Sequence, residues 1–264
     1  MQWWNTVSQG TNVAFVLDVS KSMNVEDISV KWVHTSRIEV AKQAISQYVS
    51  THTENAYSLS IFAGSSQWVL PFTSDKDIFL TLLQWVWDQN VAQGWTEIVS
   101  WIYDAVQTFT QDQKWGVIIV LSDGGDEYTS SRIPEIQKIL KEKNIVFSIV
   151  SLGTTRWGYI PLWRDVFWDV SFKTYNGRKV ISGRNDSIAW SLSSKLWGSY
   201  IVFDEGDDYT TFEKQIGTLW KKSQIQRDDV GISLQYHFIV LSFLFFLVAF
   251  IVSIFDVKKL WKRK

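Results

Sequence analysis

Two uninterrupted apolar runs, each ending on a carboxylate, dominate the pattern of hydrophobic and polar positions. Val13 to Leu17 leads into Asp18, and Val117 to Leu121 leads into Ser122-Asp123-Gly124-Gly125. Runs without a polar interruption fit strands buried on both faces of a parallel sheet. Ala56 to Phe62, Ile145 to Leu152 and Tyr200 to Phe203 read the same way. Trp68 to Phe72 reads as an edge strand, because Pro71 has no N–H for a ladder. Ser36, with Glu39 three residues on, has the form of a capping box. Ile38, Ala41, Ile45, Tyr48 and Val49 then supply the apolar face of a helix to about Thr51. Ser74 or Asp75 opens a second helix carrying Ile78, Leu82, Leu83 and Val86. Further helices are predicted over Ile98–Phe109, Ile133–Lys143, Asp186–Leu196 with Asp186 as cap, and Tyr209–Lys222. Asp27 to Thr35 reads as polar and irregular. The alternation of strand and helix implies an α/β domain with a doubly wound, mostly parallel sheet. It breaks from Gly153 to Gly183, read as a loop with a small hairpin, Phe172–Tyr175 and Lys179–Ile181, turned by Asn176-Gly177.

Tyr236 to Phe255 carries no charge. A helix of that length spans roughly 30 Å, the hydrocarbon thickness of a bilayer, so a C-terminal transmembrane helix is expected. The organisation that follows is an N-terminal segment at 1–11, the α/β domain at 12–222 with an insert at 153–183, a juxtamembrane linker at 223–235, the membrane helix at 236–255 and a basic tail at 256–264. The tail has four Lys and one Arg against one Asp, while the whole chain has a net charge of −1. The remainder is therefore mildly acidic, which argues against nucleic acid as a partner. The positive-inside rule puts the tail in the cytoplasm and the domain on the extracytoplasmic side of the cell membrane. Residues 1–11 offer no export signal, so a signal or membrane helix is expected upstream of Met1.

The chain has no Cys and three scattered His. Disulfides, thiolate metal sites and cysteine nucleophiles are excluded, and a zinc cluster is not expected. Trp is abnormal: there are 16, against 14 Gly. It occurs where turn residues are expected, in Gly94-Trp95, Trp115-Gly116, Trp157-Gly158 and Trp197-Gly198. Trp197 follows the helical pattern ending Ser194-Lys195-Leu196, a place that favours a left-handed Gly. The expectation is that many of these codons are UGA, read as glycine in the source organism.

Asp18, Ser20 and Ser22 project a carboxylate and two hydroxyls from the end of one strand, where open α/β sheets place ligands. A strand followed by a polar turn explains them equally well in isolation. Thr96, in a loop before a helix, and Asp123, at the end of the other apolar run, bring the set to five oxygen donors from three loops. Such a set suits Mg²⁺, which takes six oxygens, few of them carboxylates, and keeps waters. Asp-x-Ser-x-Ser, then Thr, then Asp resembles the metal-ion-dependent adhesion site of von Willebrand factor A domains, a Rossmann-like fold. That resemblance implies that Ser20, Ser22 and Thr96 bind Mg²⁺ (or Mn²⁺) directly and that Asp18 and Asp123 act mainly through water. It also leaves one coordination position for a partner's Asp or Glu. Lys21 stands where a glycine is usual and could tune partner choice.

Leu-Asp-Val-Ser-Lys-Ser-Met from Leu17, Ser36 to Lys42, Ile61 to Gly64 and Ile160-Pro161-Leu162 narrow the resemblance to the Bat (aerotolerance-type) bacterial membrane proteins. The family's Gly-Gly-Thr loop reads Gly94-Trp95-Thr96 here. The resemblance implies a non-catalytic, membrane-anchored binding module, with other A-domain membrane proteins and a MoxR-type AAA+ ATPase as associates in envelope stress tolerance or protein assembly. The alternative is a Mg²⁺-dependent phosphohydrolase on a doubly wound fold. That chemistry usually needs a second acid near the first, but position 20 is Ser, and no Gly-x-x-x-x-Gly-Lys loop or Gly-x-Ser-x-Gly elbow is present. The acidic run 204–208 lacks calcium-loop spacing and is expected to cap the last helix.

Overall fold

The computed structural model describes residues 10–30, 32–63, 66–87, 98–109, 115–124, 131–164, 169–204, 206–219 and 237–247. β1 (Asn12–Asp18) is the centre of a six-stranded sheet. A hairpin of β2 (Ile28–Val30) and β3 (Val33–Thr35) follows, then α1 (Arg37–Thr51), β4 (Ala56–Phe62), β5 (Ser66–Thr73) and α2 (Lys76–Gln84). Next come α3 (Ile98–Gln107), β6 (Gly116–Ser122), α4 (Ile133–Lys143) and β7 (Ile145–Leu152). After the insert, α5 (Asp186–Lys195) and β14 (Ser199–Phe203) close the sheet, and residues 209–219 are helical. The sheet order is β14-β7-β6-β1-β4-β5, parallel except for β5. β5 is the edge strand that Pro71 requires, and its pairing with β4 slips register near that proline.

The alternation within β1 explains why the sheet is covered twice. Val13, Phe15 and Leu17 face a core with Ile38, Ile45 and Tyr48 of α1, while Ala14 and Val16 face a core with Val99 and Ile102 of α3. β6 divides in the same way. The chain leaves β1 for β4 and β5 on one side, then returns to β6, β7 and β14 on the other. The carboxyl ends of β1 and β6 therefore flank the point where strand order reverses, and a crevice opens there.

Several local expectations need correction. Asp27 to Thr35 is not irregular, because Ile28 and Val30 are buried and anchor the β2–β3 hairpin. Ser36 accepts from the Glu39 N–H at 3.4 Å, but Glu39 accepts from Gln43, so the capping box is one-sided. α2 is capped by Asp75, which accepts from the Asp77 and Ile78 N–H groups; Phe79 and Leu83 are buried, while Ile78 is exposed. Asp186 does not cap α5. Asn185 holds the cap position, and the Asp186 carboxylate pairs with Arg184 at 2.6 Å. In the acidic run, Asp208 accepts from the Thr211 N–H at 2.9 Å and caps the helix at 209–219.

The insert is more strand-rich than one hairpin. β8 (Gly158–Tyr159) pairs with β13 (Ile181–Ser182), β9 (Pro161–Arg164) with β10 (Val170–Phe172), and β11 (Thr174–Tyr175) with β12 (Arg178–Lys179). Asn176 and Gly177 both have positive φ, as a type I′ turn demands.

Among the described residues, the non-glycine positions with positive φ are Asn144, Asn176 and three tryptophans, Trp32, Trp115 and Trp197. Trp32 lies in the two-residue turn of the β2–β3 hairpin. Trp197 is the residue after the α5 cap. Its N–H bonds to Ser194 O and the Gly198 N–H to Ser193 O, the paired bonds of a Schellman motif. A left-handed conformation costs a β-carbon residue about 1–2 kcal/mol.

Residues 1–223 form one compact unit and 224–264 a second. In the second, residues 237–247 are helical, and large apolar side chains such as Phe238, Phe243 and Phe245 are exposed. Among the described residues no helix is long and apolar enough to cross a membrane; 236 and 248–255 of the predicted span lie outside them.

Candidate functional site

The parallel register that sets Leu17 of β1 opposite Leu121 of β6 also brings the polar ends of both strands together. Ser122 Oγ donates to Asp18 Oδ2 at 2.6 Å, and the Ser20 N–H donates to Asp18 Oδ1 at 2.8 Å. Asp18 is buried. Burial first, and then the Asp123 carboxylate, push it up to about 7, against the opposing pull of its bonds to Ser122 and Ser20. The Ser20 and Ser22 hydroxyl oxygens lie 2.9 Å apart, half-buried on a short 3₁₀ turn, Lys21–Asn24. Two oxygens sharing an octahedral edge around Mg²⁺, with bonds of about 2.0–2.1 Å, sit roughly 2.9 Å apart. Among the described residues no group of three or more His, Cys, Asp or Glu side chains forms a metal cluster. A cation here would therefore depend on hydroxyls as much as on carboxylates. Asp18, Ser20, Ser22 and Asp123 come from the two neighbouring strand ends. Thr96 lies outside the described residues.

A buried arginine underlies this cluster. The Arg37 side chain is 0 % exposed, yet all five of its N–H donors have acceptors. Nε and Nη2 grip Asp27 at 2.9 and 2.6 Å, and Nη1 reaches Asp123 Oδ2 at 2.7 Å. The remaining donors reach Ser182 Oγ at 3.3 Å and Ser182 O at 3.4 Å. Burial lowers the guanidinium's pKa, but Asp27 and Asp123 outweigh it and hold the group above its ordinary value. Asp27 Oδ2 also accepts from the Thr154 N–H and hydroxyl at 2.9 and 3.2 Å. Three carboxyl groups, those of Asp18, Asp27 and Asp123, thus gather around the one guanidinium of Arg37.

Backbone fit explains the loops around the site. Gly124 has a φ of +108°, and a β-carbon there would lie 2.3 Å from Asn185 O. The Asn185 N–H in turn donates to Asp123 O at 2.8 Å, tying the start of α5 to the end of β6. At Gly153, with a φ of +104°, a β-carbon would fall 2.4 Å from Arg37 Nε, so the arginine occupies the space that a side chain would take.

Arg37, Asp27, Ser122, Thr154 and Ser182 were not singled out as site residues from sequence. One signal was available for Arg37. A cation in the first turn of a helix opposes the helix dipole, so a buried one there needs carboxylates.

The von Willebrand factor type A domain family matches residues 13–125. The crystal structure of the conserved hypothetical protein BatB from Bacteroides thetaiotaomicron is 25% identical with a TM-score of 0.69, covering 81% of this chain and 99% of that one. An aerotolerance-related membrane protein from Bacteroides fragilis, crystallised with multiple mutations to serines, is 26% identical with a TM-score of 0.68, covering 81% and 100%. An uncharacterized protein of Borreliella burgdorferi is 25% identical over 257 residues, 94% of this chain and 70% of that protein. Residues 13–125 thus match the von Willebrand factor type A domain family, and in fold and sequence the chain is similar to the Bat-type, aerotolerance-related membrane proteins.

Proposed function

We propose that the domain is a non-catalytic protein-binding module whose partner completes the coordination of a Mg²⁺ or Mn²⁺ ion. The observation that carries this reading is the buried Asp18 carboxylate beside Asp123, with the Ser20 and Ser22 hydroxyls 2.9 Å apart next to it. Ser20 and Ser22 would hold the ion directly, together with Thr96. Asp18 and Asp123 would hold its waters, Asp18 fixed by Ser122 and Asp123 by Arg37. The ion would supply a Lewis-acidic position for an Asp or Glu of the partner. The protein's own contribution is preorganisation: each carboxylate is already held by a donor on its far side, so little reorders when the partner arrives.

The same reading covers the membrane. Tyr236 to Phe255 would form a membrane anchor, with the basic tail cytoplasmic and the domain extracytoplasmic. A cytoplasmic MoxR-type ATPase would then reach the tail or the membrane segment and not the metal face, whereas other A-domain membrane proteins could meet that face directly. The recoding expectation belongs here too: Trp32, Trp115 and Trp197 hold backbone conformations that suit glycine.

Mn²⁺ titration of the purified full chain, followed by electron paramagnetic resonance, tests the site. Binding at one site per chain is expected, abolished by Asp18→Ala. Pull-down from membranes should recover partners with Mg²⁺ and lose them in excess chelator. Recovery unaffected by chelator overturns the metal-dependent reading.

A further inference from the structure

The structure ties the insert at 153–183 to the Asp27–Arg37–Asp123 cluster at both ends. At its start, Thr154 donates twice to Asp27, which Arg37 grips. At its end, Ser182 accepts from Arg37 and donates to Asp123 Oδ2 at 3.4 Å. Arg184, just beyond, donates to Gly153 O and closes the base of the insert. The insert therefore stands on the rim of the site, referenced to the same arginine that holds Asp123.

Its surface differs in charge from the rest of the chain. Residues 153–183 carry five basic and two acidic side chains, whereas the whole chain has a net charge of −1. Arg178 and Lys179 are exposed on β12 and Lys173 is exposed between β10 and β11, and among the described residues none of them is in an ion pair. Large apolar side chains stand among them: Tyr159, Tyr175 and Ile181 are 52%, 75% and 49% exposed. Lys179 Nζ lies 4.2 Å from the Phe172 ring centre and 5.1 Å from that of Tyr159, so aromatic faces fix its position. Exposed aromatics interleaved with cations suit a partner that brings both carboxylates and apolar side chains.

We propose that the insert is the specificity-determining surface for an acidic, extended segment of a partner protein. One partner carboxylate goes to the metal position, which rests on the reading above, and further acidic residues meet Lys173, Arg178 and Lys179. Arg37 is the positioning residue that keeps the two contact areas in register.

The test uses the full chain in zwitterionic nanodiscs and a labelled synthetic peptide of alternating Glu and Leu, with a Lys–Leu peptide and empty nanodiscs as controls. In the triple variant Lys173→Glu, Arg178→Glu, Lys179→Glu, affinity for the acidic peptide should fall on the order of tenfold while Mn²⁺ affinity stays unchanged. The charge-retaining variant Lys173→Arg, Arg178→Lys, Lys179→Arg should restore peptide affinity. Mn²⁺ bound as before with undiminished peptide affinity in the charge-reversed protein overturns the inference about the insert. Absent Mn²⁺ binding, with peptide affinity still lost on charge reversal, upholds the insert and overturns the metal reading alone.

Discussion

Asp18→Asn should stabilise the metal-free protein and abolish its response to metal. Asp18 has an unfolded-state pKa of 3.8 and rises to about 7 in the fold through burial and the neighbouring Asp123. The folded state therefore holds a proton that the unfolded state has released between these two values. Stability must then fall as pH rises from about 4 to about 7 and stay low above that. Three pKa units at about 1.36 kcal/mol each put the full penalty on the order of 4 kcal/mol. Asparagine removes that charge. Its carbonyl can still accept from the Ser20 N–H, but its amide cannot accept from Ser122 Oγ, a loss of about 1 kcal/mol. The net gain at pH 8 is about 3 kcal/mol, or roughly 10 °C in melting temperature for a domain of this size. At pH 4, close to the unfolded-state pKa of 3.8, most of the penalty is gone, so the lost bond outweighs what remains and the variant should melt slightly lower. The assay is thermal unfolding of both proteins by circular dichroism in chelator across pH 4–8, repeated with excess Mg²⁺. Mg²⁺ should raise the wild-type melting temperature at pH 8 and leave the variant unmoved. A melting difference between the two proteins that does not change with pH refutes the argument, because burial of an ionised Asp18 would then not be what limits the apo state.

Other outcomes follow from the same geometry. Arg37→Leu leaves Asp27 and Asp123 without their shared cation and should cost about 3–5 kcal/mol, read as a lower urea midpoint. Glycine at positions 32, 115 and 197 should each raise stability by about 1 kcal/mol in a host that inserts Trp there, and the source codons should be UGA; UGG codons would sink the recoding idea. Protease added to spheroplasts should digest the domain before lysis, and resistance until lysis would reverse the proposed sidedness.

The sequence alone determined the sheet and the place of Asp18, Ser20, Ser22 and Asp123 at its edge. Unbroken apolar runs can be buried only between two helical layers, so β1 and β6 were legible, and polar residues immediately after such runs must lie at strand ends. Asp18, Ser20, Ser22 and Asp123 are readable for that local reason. The β2–β3 hairpin was not, because its apolar content is short and its turn is masked by a Trp where glycine would signal a reversal. The Arg37 hub was decided by tertiary structure alone. Its partners lie 10, 86 and 145 residues away, at Asp27, Asp123 and Ser182, and no periodic pattern links positions so far apart. Charge pairing in a buried site depends on which strand ends become neighbours. The crossover from β5 to β6 on the far side of β1 created that adjacency, and with it came a guanidinium whose five donors hold Asp123, the loop before β2 and the base of the insert in one piece.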